Sequence, residues 1–238
     1  MLYKQTISPF LEDTLIKLMH LEELNDYRLG GGTALSLLLG HRKSVDIDMF
    51  TANYGKNNEL LQLMKKHFPR TEIRDLGGFG VTLYIPFPDS DKELKVDLMS
   101  NEEYIRPCIE EDGIRIAHIE DIAAMKLEAI TTRKEKKDYW DIAEILGKYS
   151  LEQMIGFYKE RYPWNDLKAV MESLIMFNKC DGQFDPEVIN NKNWEDIKSI
   201  ISQAFEKYIK LEKQKHNKIP DIDSIKDIKG QKNKGLSL

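Results

Sequence analysis

Residues 44–50, Ser-Val-Asp-Ile-Asp-Met-Phe, constrain this chain more than any other segment. Apolar and acidic side chains alternate: Val45, Ile47 and Met49 on one side, Asp46 and Asp48 on the other. A period of two is the signature of a β-strand with one buried face. Aspartate is disfavoured in strands, so a pair there has a local cost that needs compensation. Same-face residues two apart have Cα atoms roughly 6.5–7 Å apart. Two carboxylates held that close repel each other unless a cation stands between them. Mg²⁺ or Mn²⁺, which favour carboxylate and water oxygens, suit that position.

Thirteen residues before Asp46 lies the end of Gly31-Gly32-Thr33, which follows Gly30 and opens a short buried helix over Ala34–Leu39, closed by Gly40 and His41. Glycine amides at a helix N-terminus form a cradle for phosphate, and Thr33 adds a hydroxyl. By itself the glycine run is a tight turn. It is not the G-x-x-x-x-G-K-[ST] loop of the common kinases and ATPases. Acidic pairs at spacing two also recur at Asp89/Asp91, Glu110/Asp112, Asp185/Glu187 and Asp221/Asp223, so the spacing alone carries nothing. The glycine turn followed by an apolar strand bearing two aspartates is what sets Asp46 and Asp48 apart.

The rest of the chain predicts an α/β half followed by a helical half. Residues 8–24 have apolar positions at helical spacing, with Ser8 as N-cap and Pro9 in the first turn. A second amphipathic helix covers NNELLQLMKKHF. TEIRDL, GVTLYIPF, ELKVDLMS and IRIAH read as strands, with PDSDKE closing a hairpin. From Ile119 the pattern is helical, with Glu120 and Asp121 favourably placed in the first turn. It is interrupted by a bend over Thr131–Lys137. This gives an α/β core over residues 1–117, a helical region over 118–212 and a polar, mobile tail over 213–238.

With 41% hydrophobic and 32% charged residues over 238 positions, the chain can bury a core without staples. Cys108 and Cys180 are far apart in sequence and predict two reduced thiols. A net charge of -5 excludes a uniformly basic surface, though not a local basic groove. The N-terminus lacks the pattern of a signal peptide, and no apolar run approaches a membrane span. The expectation is a cytoplasmic protein without a membrane partner.

The segment GGTALSLLLGHRKSVDIDMF resembles the nucleotidyltransferase superfamily, and more narrowly the AbiEii/AbiGii toxin family of bacterial nucleotidyltransferases. Gly31, Gly32, Thr33, Ala34, Leu35, Arg42, Ser44, Asp46, Ile47, Asp48 and Phe50 match that family's pattern, and Met49 replaces a usual leucine. The resemblance continues through A-M-K-L-E-A-I and R-x-x-x-K-D-Y-W-D-I, placing a family lysine on Lys126, an arginine on Arg133 and an aspartate on Asp138. It covers residues 25–146 and implies a mixed β-sheet flanked by helices. The superfamily also uses a third carboxylate on a neighbouring strand, and Asp97, between Val96 and Leu98, occupies such a position.

The resemblance implies a site in which Asp46, Asp48 and Asp97 hold Mg²⁺ or Mn²⁺ and a nucleoside triphosphate donates its nucleotidyl group to an acceptor hydroxyl. Gly31, Gly32 and Thr33 orient the phosphates. Lys126 contacts phosphate or nucleotide, and Arg133 joins the nucleotide side. Arg42 and Ser44 either brace the aspartate strand or touch phosphate. Lys126 and Arg133, seven apart, share a helix face, whereas Asp138, twelve from Lys126, is about 120° away on an unbroken helix. Only the bend can return Asp138 to the site. The acceptor is RNA (tRNA included) or protein, and the family implies a cognate antitoxin. The alternatives are transfer to a small molecule such as an antibiotic, and a non-catalytic nucleotide-binding scaffold. A glycosyltransferase also uses Asp-x-Asp, but the preceding Gly-Gly-Thr and the following Asp97 argue against one.

Overall fold

The computed structural model describes residues 1–53, 57–101 and 103–216. Helix α1 (Pro9–Met19) starts as its sequence predicts, with the Ser8 hydroxyl accepting from Leu11 N and proline in the first turn. It leads through a 3₁₀ turn into the short strand β1 (Arg28–Leu29), which the sequence pattern is too brief to reveal. The glycine turn opens α2 (Gly31–Leu39), and β2 (Ile47–Thr51) follows. Next come α3 (Asn57–His67), β3 (Glu72–Asp75), β4 (Gly80–Pro86) and β5 (Glu93–Ser100). A further hairpin, β6 (Ile109–Glu111) and β7 (Ile114–Ile116), turns at Asp112-Gly113, where both residues have positive φ. Of these two strands, only β7 is foreshadowed by alternation in the sequence.

The seven strands form one mixed sheet in the order β3-β4-β5-β2-β1-β7-β6. Strand β2 is central, parallel to β5 and antiparallel to β1. Ile47, Met49, Val96 and Leu98 are fully buried, so the alternation in both strands does orient them. Val45 departs from expectation. Alternation puts it on the core face, but the ladder begins only at Ile47, and Val45 is 72% exposed at the rim of a cleft. The period-two pattern continues for one residue beyond the last hydrogen-bonded pair, and burial follows the ladder.

The second half is helical: α4 (Ile119–Thr132), α5 (Lys136–Ile145), α6 (Leu151–Arg161), α7 (Leu167–Leu174) and α8 (Trp194–His216). Helix α4 packs on α5, α6 and α7 and reaches α2, so the bundle is continuous with the sheet layer. Trp194 stacks on Trp140 at 5.5 Å and meets Tyr139 edge-on, fixing α8 to α5. Helix α8 includes Lys213–His216, which the composition assigned to the tail; the remainder of that tail lies outside the described residues. Cys108 and Cys180 are unpaired. Among the described residues, no helix is long and apolar enough to cross a membrane.

Candidate active site

The glycine turn and the aspartate strand meet in space. Gly30 N donates to the Asp48 carbonyl at 2.8 Å, which ties the start of α2 to β2. Gly31 has a φ of +62°, and a Cβ there would lie 2.4 Å from Asp48 Oδ2. Glycine is therefore required twice over, for its left-handed backbone and for the approach of the carboxylate. A Cβ at Gly32 would lie 2.3 Å from Arg42 Nη2. Thr33 is fully buried; its hydroxyl donates to the Asp46 carbonyl and lies 2.8 Å from Ser44 Oγ. Thr33 and Ser44 thus brace the segment entering β2, and the Thr33 hydroxyl faces inward.

Asp48 and Asp97 are register partners on the parallel pair β2–β5. Burial, then the nearby charges of Asp97 and Asp46, raise the Asp48 carboxyl above its ordinary range. Asp97 is 8% exposed; its Oδ1 accepts from Thr82 Oγ1 at 2.7 Å and its Oδ2 from Lys95 Nζ at 2.5 Å. Thr82 faces Asp97 across the β4–β5 ladder. Asp46, Asp48 and Asp97 line one cleft of about 420 Å³ together with Gly32, Arg42, Ser44, Lys95, Lys126 and Arg133.

These carboxylates supply hard oxygen donors, and the strain on Asp48 is of the kind a cation relieves, so the donor set suits Mg²⁺ or Mn²⁺. Among the described residues, however, no three acidic, histidine or cysteine side chains converge tightly enough to enclose an ion as they stand. Both oxygens of Asp97 are engaged, one by Thr82 and the other by Lys95.

The helical half closes the site from behind. Helix α4 ends at Thr132 and α5 starts at Lys136, so the break falls inside the segment predicted to bend. It returns Asp138 to Lys126, whose Nζ lies 2.8 Å from Asp138 Oδ1 and 2.6 Å from Asp141 Oδ2. Arg133 donates to Asp138 through Nε (2.9 Å) and Nη2 (3.0 Å). Arg42 grips Asp141 with Nε (2.7 Å) and Nη2 (2.8 Å), and His41 Nε2 lies 2.8 Å from Asp141 Oδ1. Burial alone would raise Asp141, but Arg42 and Lys126 outweigh it and hold the carboxyl well below its usual range. Asp138 is likewise lowered, its burial outweighed by Lys126 and Arg133. The same carboxylates overcome burial at Lys126 and raise it. The Arg42 guanidinium is thus placed as a brace between β2's approach and α5, at the back wall of the cleft.

Sequence reasoning did not find Asp141, Lys95 or Thr82. Asp141 stands three residues after Asp138 in one helix, a spacing that shares a face. Lys95 stands two residues before Asp97 on one strand face. Both signals were legible. Thr82 carried none, because only the β4–β5 register brings it to Asp97. Residues 183–189, inside the region expected to be helical, form no helix. In the structure Lys43 N donates to Glu187 O (2.8 Å), Ile189 N donates to His41 O (2.9 Å), and Pro186 and Glu187 line the cleft.

A mixed sheet whose central parallel strands present carboxylates beside a glycine-opened helix is the architecture of a nucleotidyltransferase. The family model for the nucleotidyl transferase AbiEii toxin of type IV toxin–antitoxin systems matches residues 14–227, and the chain belongs to that family. It is therefore a nucleotidyltransferase. An uncharacterised protein of Aquifex aeolicus (strain VF5) is 29% identical over 203 residues, covering 83% of this chain and 95% of that protein. The solved structure of MenT4, a nucleotidyltransferase toxin from Mycobacterium tuberculosis H37Rv, superposes with a TM-score of 0.56 at 12% identity, covering 82% of each chain. That likeness is one of fold.

Proposed function

We propose that the protein transfers a nucleoside monophosphate from a nucleoside triphosphate to a hydroxyl of RNA or protein, with divalent-cation dependence, as the toxin partner of a cognate antitoxin. What carries this reading is the register of Asp48 against Asp97 at the glycine end of α2, inside a cleft with Asp46 and a wall of cations. Asp46, Asp48 and Asp97 would hold the cation, Mg²⁺ or Mn²⁺. When bound, it supplies charge neutralisation at the phosphates and acidifies the acceptor hydroxyl.

The chain's own residues do the rest. Amides at Gly31 and Gly32, at the positive end of α2, orient phosphate oxygens. Lys126 and Arg133 supply positive charge on the opposite wall, where the pairing to Asp138 and Asp141 keeps both side chains fixed. Arg42, Thr33 and Ser44 hold the backbone that carries Asp46. The acceptor oxygen attacks the α-phosphorus in line and pyrophosphate leaves. Preorganised charge and positioning supply most of the acceleration.

Incubation with each α-labelled nucleotide, Mg²⁺ or Mn²⁺ and total RNA, beside D46N, tests this. Label is expected in RNA or in protein, and only without the substitution. Label confined to an added small alcohol would move the acceptor to small molecules. Nucleotide binding without any transfer would leave a scaffold.

A further inference from the structure

Lys95 lies on β5 in the wall of the cleft. It stands two residues before Asp97 on the same face of β5, with its side chain 41% exposed and its Nζ 2.5 Å from Asp97 Oδ2. Thr82 holds the other oxygen at 2.7 Å. An ammonium and a divalent cation on the same oxygen of Asp97 repel each other, so the ion pair and cation binding at Asp97 compete. Asp48 and Asp46 reinforce the attraction, since Lys95 also lies in their field. Lysine is a compact charge on a flexible stem, free to exchange one anionic partner for another nearby.

We propose that Lys95 is an internal counter-ion that occupies Asp97 until a nucleoside triphosphate arrives, and then transfers to a phosphate oxygen, so that divalent cation and nucleotide bind cooperatively. The inference rests on the metal-dependent reading above. Cation alone must evict Lys95 into water against three carboxylates. Cation arriving with a triphosphate leaves Lys95 a new anion in the same cleft. The coupling therefore belongs to one side chain, and by linkage each ligand strengthens the other by the same factor. The Lys95 charge also lessens the repulsion among Asp46, Asp48 and Asp97 when no ligand is present.

The test is a Mn²⁺ titration, by calorimetry or by loss of the free-ion paramagnetic signal, on wild type, Lys95→Met and Lys95→Arg. Each is measured with and without an equimolar mixture of the four α,β-methylene nucleoside triphosphates. Lys95→Met is expected to bind Mn²⁺ alone about tenfold more tightly than wild type and to lose most of the nucleotide-induced gain, a coupling change of ordinary size. Lys95→Arg, which keeps the charge, should retain the gain. Lys95→Gln replaces the methionine variant if thermal melting shows that the latter is unfolded. Equal Mn²⁺ affinity and equal coupling in wild type and the neutral variant would overturn the role of Lys95 while leaving metal-dependent transfer standing. Absence of Mn²⁺ binding in every variant, with and without nucleotide, would overturn both.

Discussion

Asp48 and Asp97 face each other across the parallel β2–β5 ladder, one on each strand, with Thr82 opposite Asp97 on the third. Register, not sequence distance, makes them one site. The arrangement has a cost in the ligand-free protein, because burial and then the neighbouring carboxylates raise the Asp48 carboxyl. A folded-state value above the unfolded one means that stability falls as pH rises from the unfolded value, about 3.9, through the folded one. Asp48→Asn is therefore expected to abolish transfer while raising the melting temperature of the metal-free protein at neutral pH, a gain on the order of 1 kcal/mol. A variant that is less stable than wild type at pH 7, with its transfer activity retained, would remove Asp48 from the proposed centre.

Asp141 makes the opposite prediction. It is fully buried and takes Arg42, His41 and Lys126 at once. Asp141→Asn leaves Arg42 and Lys126 without that charge, a loss of about 3–5 kcal/mol for a broken buried pair. Because its carboxyl is held well below its ordinary range, the stability it confers is complete above the unfolded value and drains away as pH falls through the folded one. The stability gap between wild type and Asp141→Asn should be large at pH 7 and narrower near pH 3, as read by urea unfolding. A gap that stays constant with pH would mean that the Asp141 charge is not what holds Arg42 and Lys126.

Gly31 tests the cradle. Alanine there must adopt a φ of +62° and place its Cβ 2.4 Å from Asp48 Oδ2. The backbone cost is about 1–2 kcal/mol, and the displaced carboxylate should lower transfer by about a hundredfold. Gly78→Ala, where a Cβ meets nothing within 4 Å, is the matched control and should leave activity unchanged. Equal activities for the two alanine variants would detach the glycine turn from the chemistry.

The 183–189 segment is expected to shape the mouth of the cleft more than the stability of the fold. Ile189→Pro deletes the N–H that donates to the His41 carbonyl at 2.9 Å. Ile189 is 40% exposed, so the loss should be limited to about 1 kcal/mol. Steady-state kinetics should show a raised KM with a smaller change in kcat. A fall in kcat alone would place this segment's effect on the catalytic groups instead.

The sequence by itself determined the local parts. Ser8 and Pro9 start α1 because a hydroxyl acceptor and a preset φ suit a first turn. The glycines open α2, and alternation orients Asp48 and Asp97 away from a core face formed by Ile47, Met49, Val96 and Leu98. The break after α4 was also legible, since the apolar phase shifts there. These are all near-neighbour effects, decided by propensity and periodicity within a turn or a strand. Only the tertiary structure decided that Val45 leaves the core, that Thr82 takes the second oxygen of Asp97, that Asp141 gathers Arg42, His41 and Lys126, and that Pro186 and Glu187 border the cleft. Each of these depends on ladder register or helix packing between segments far apart in sequence. A pattern of side chains can say which face is buried, but only the packed sheet and bundle fix which charge stands against which.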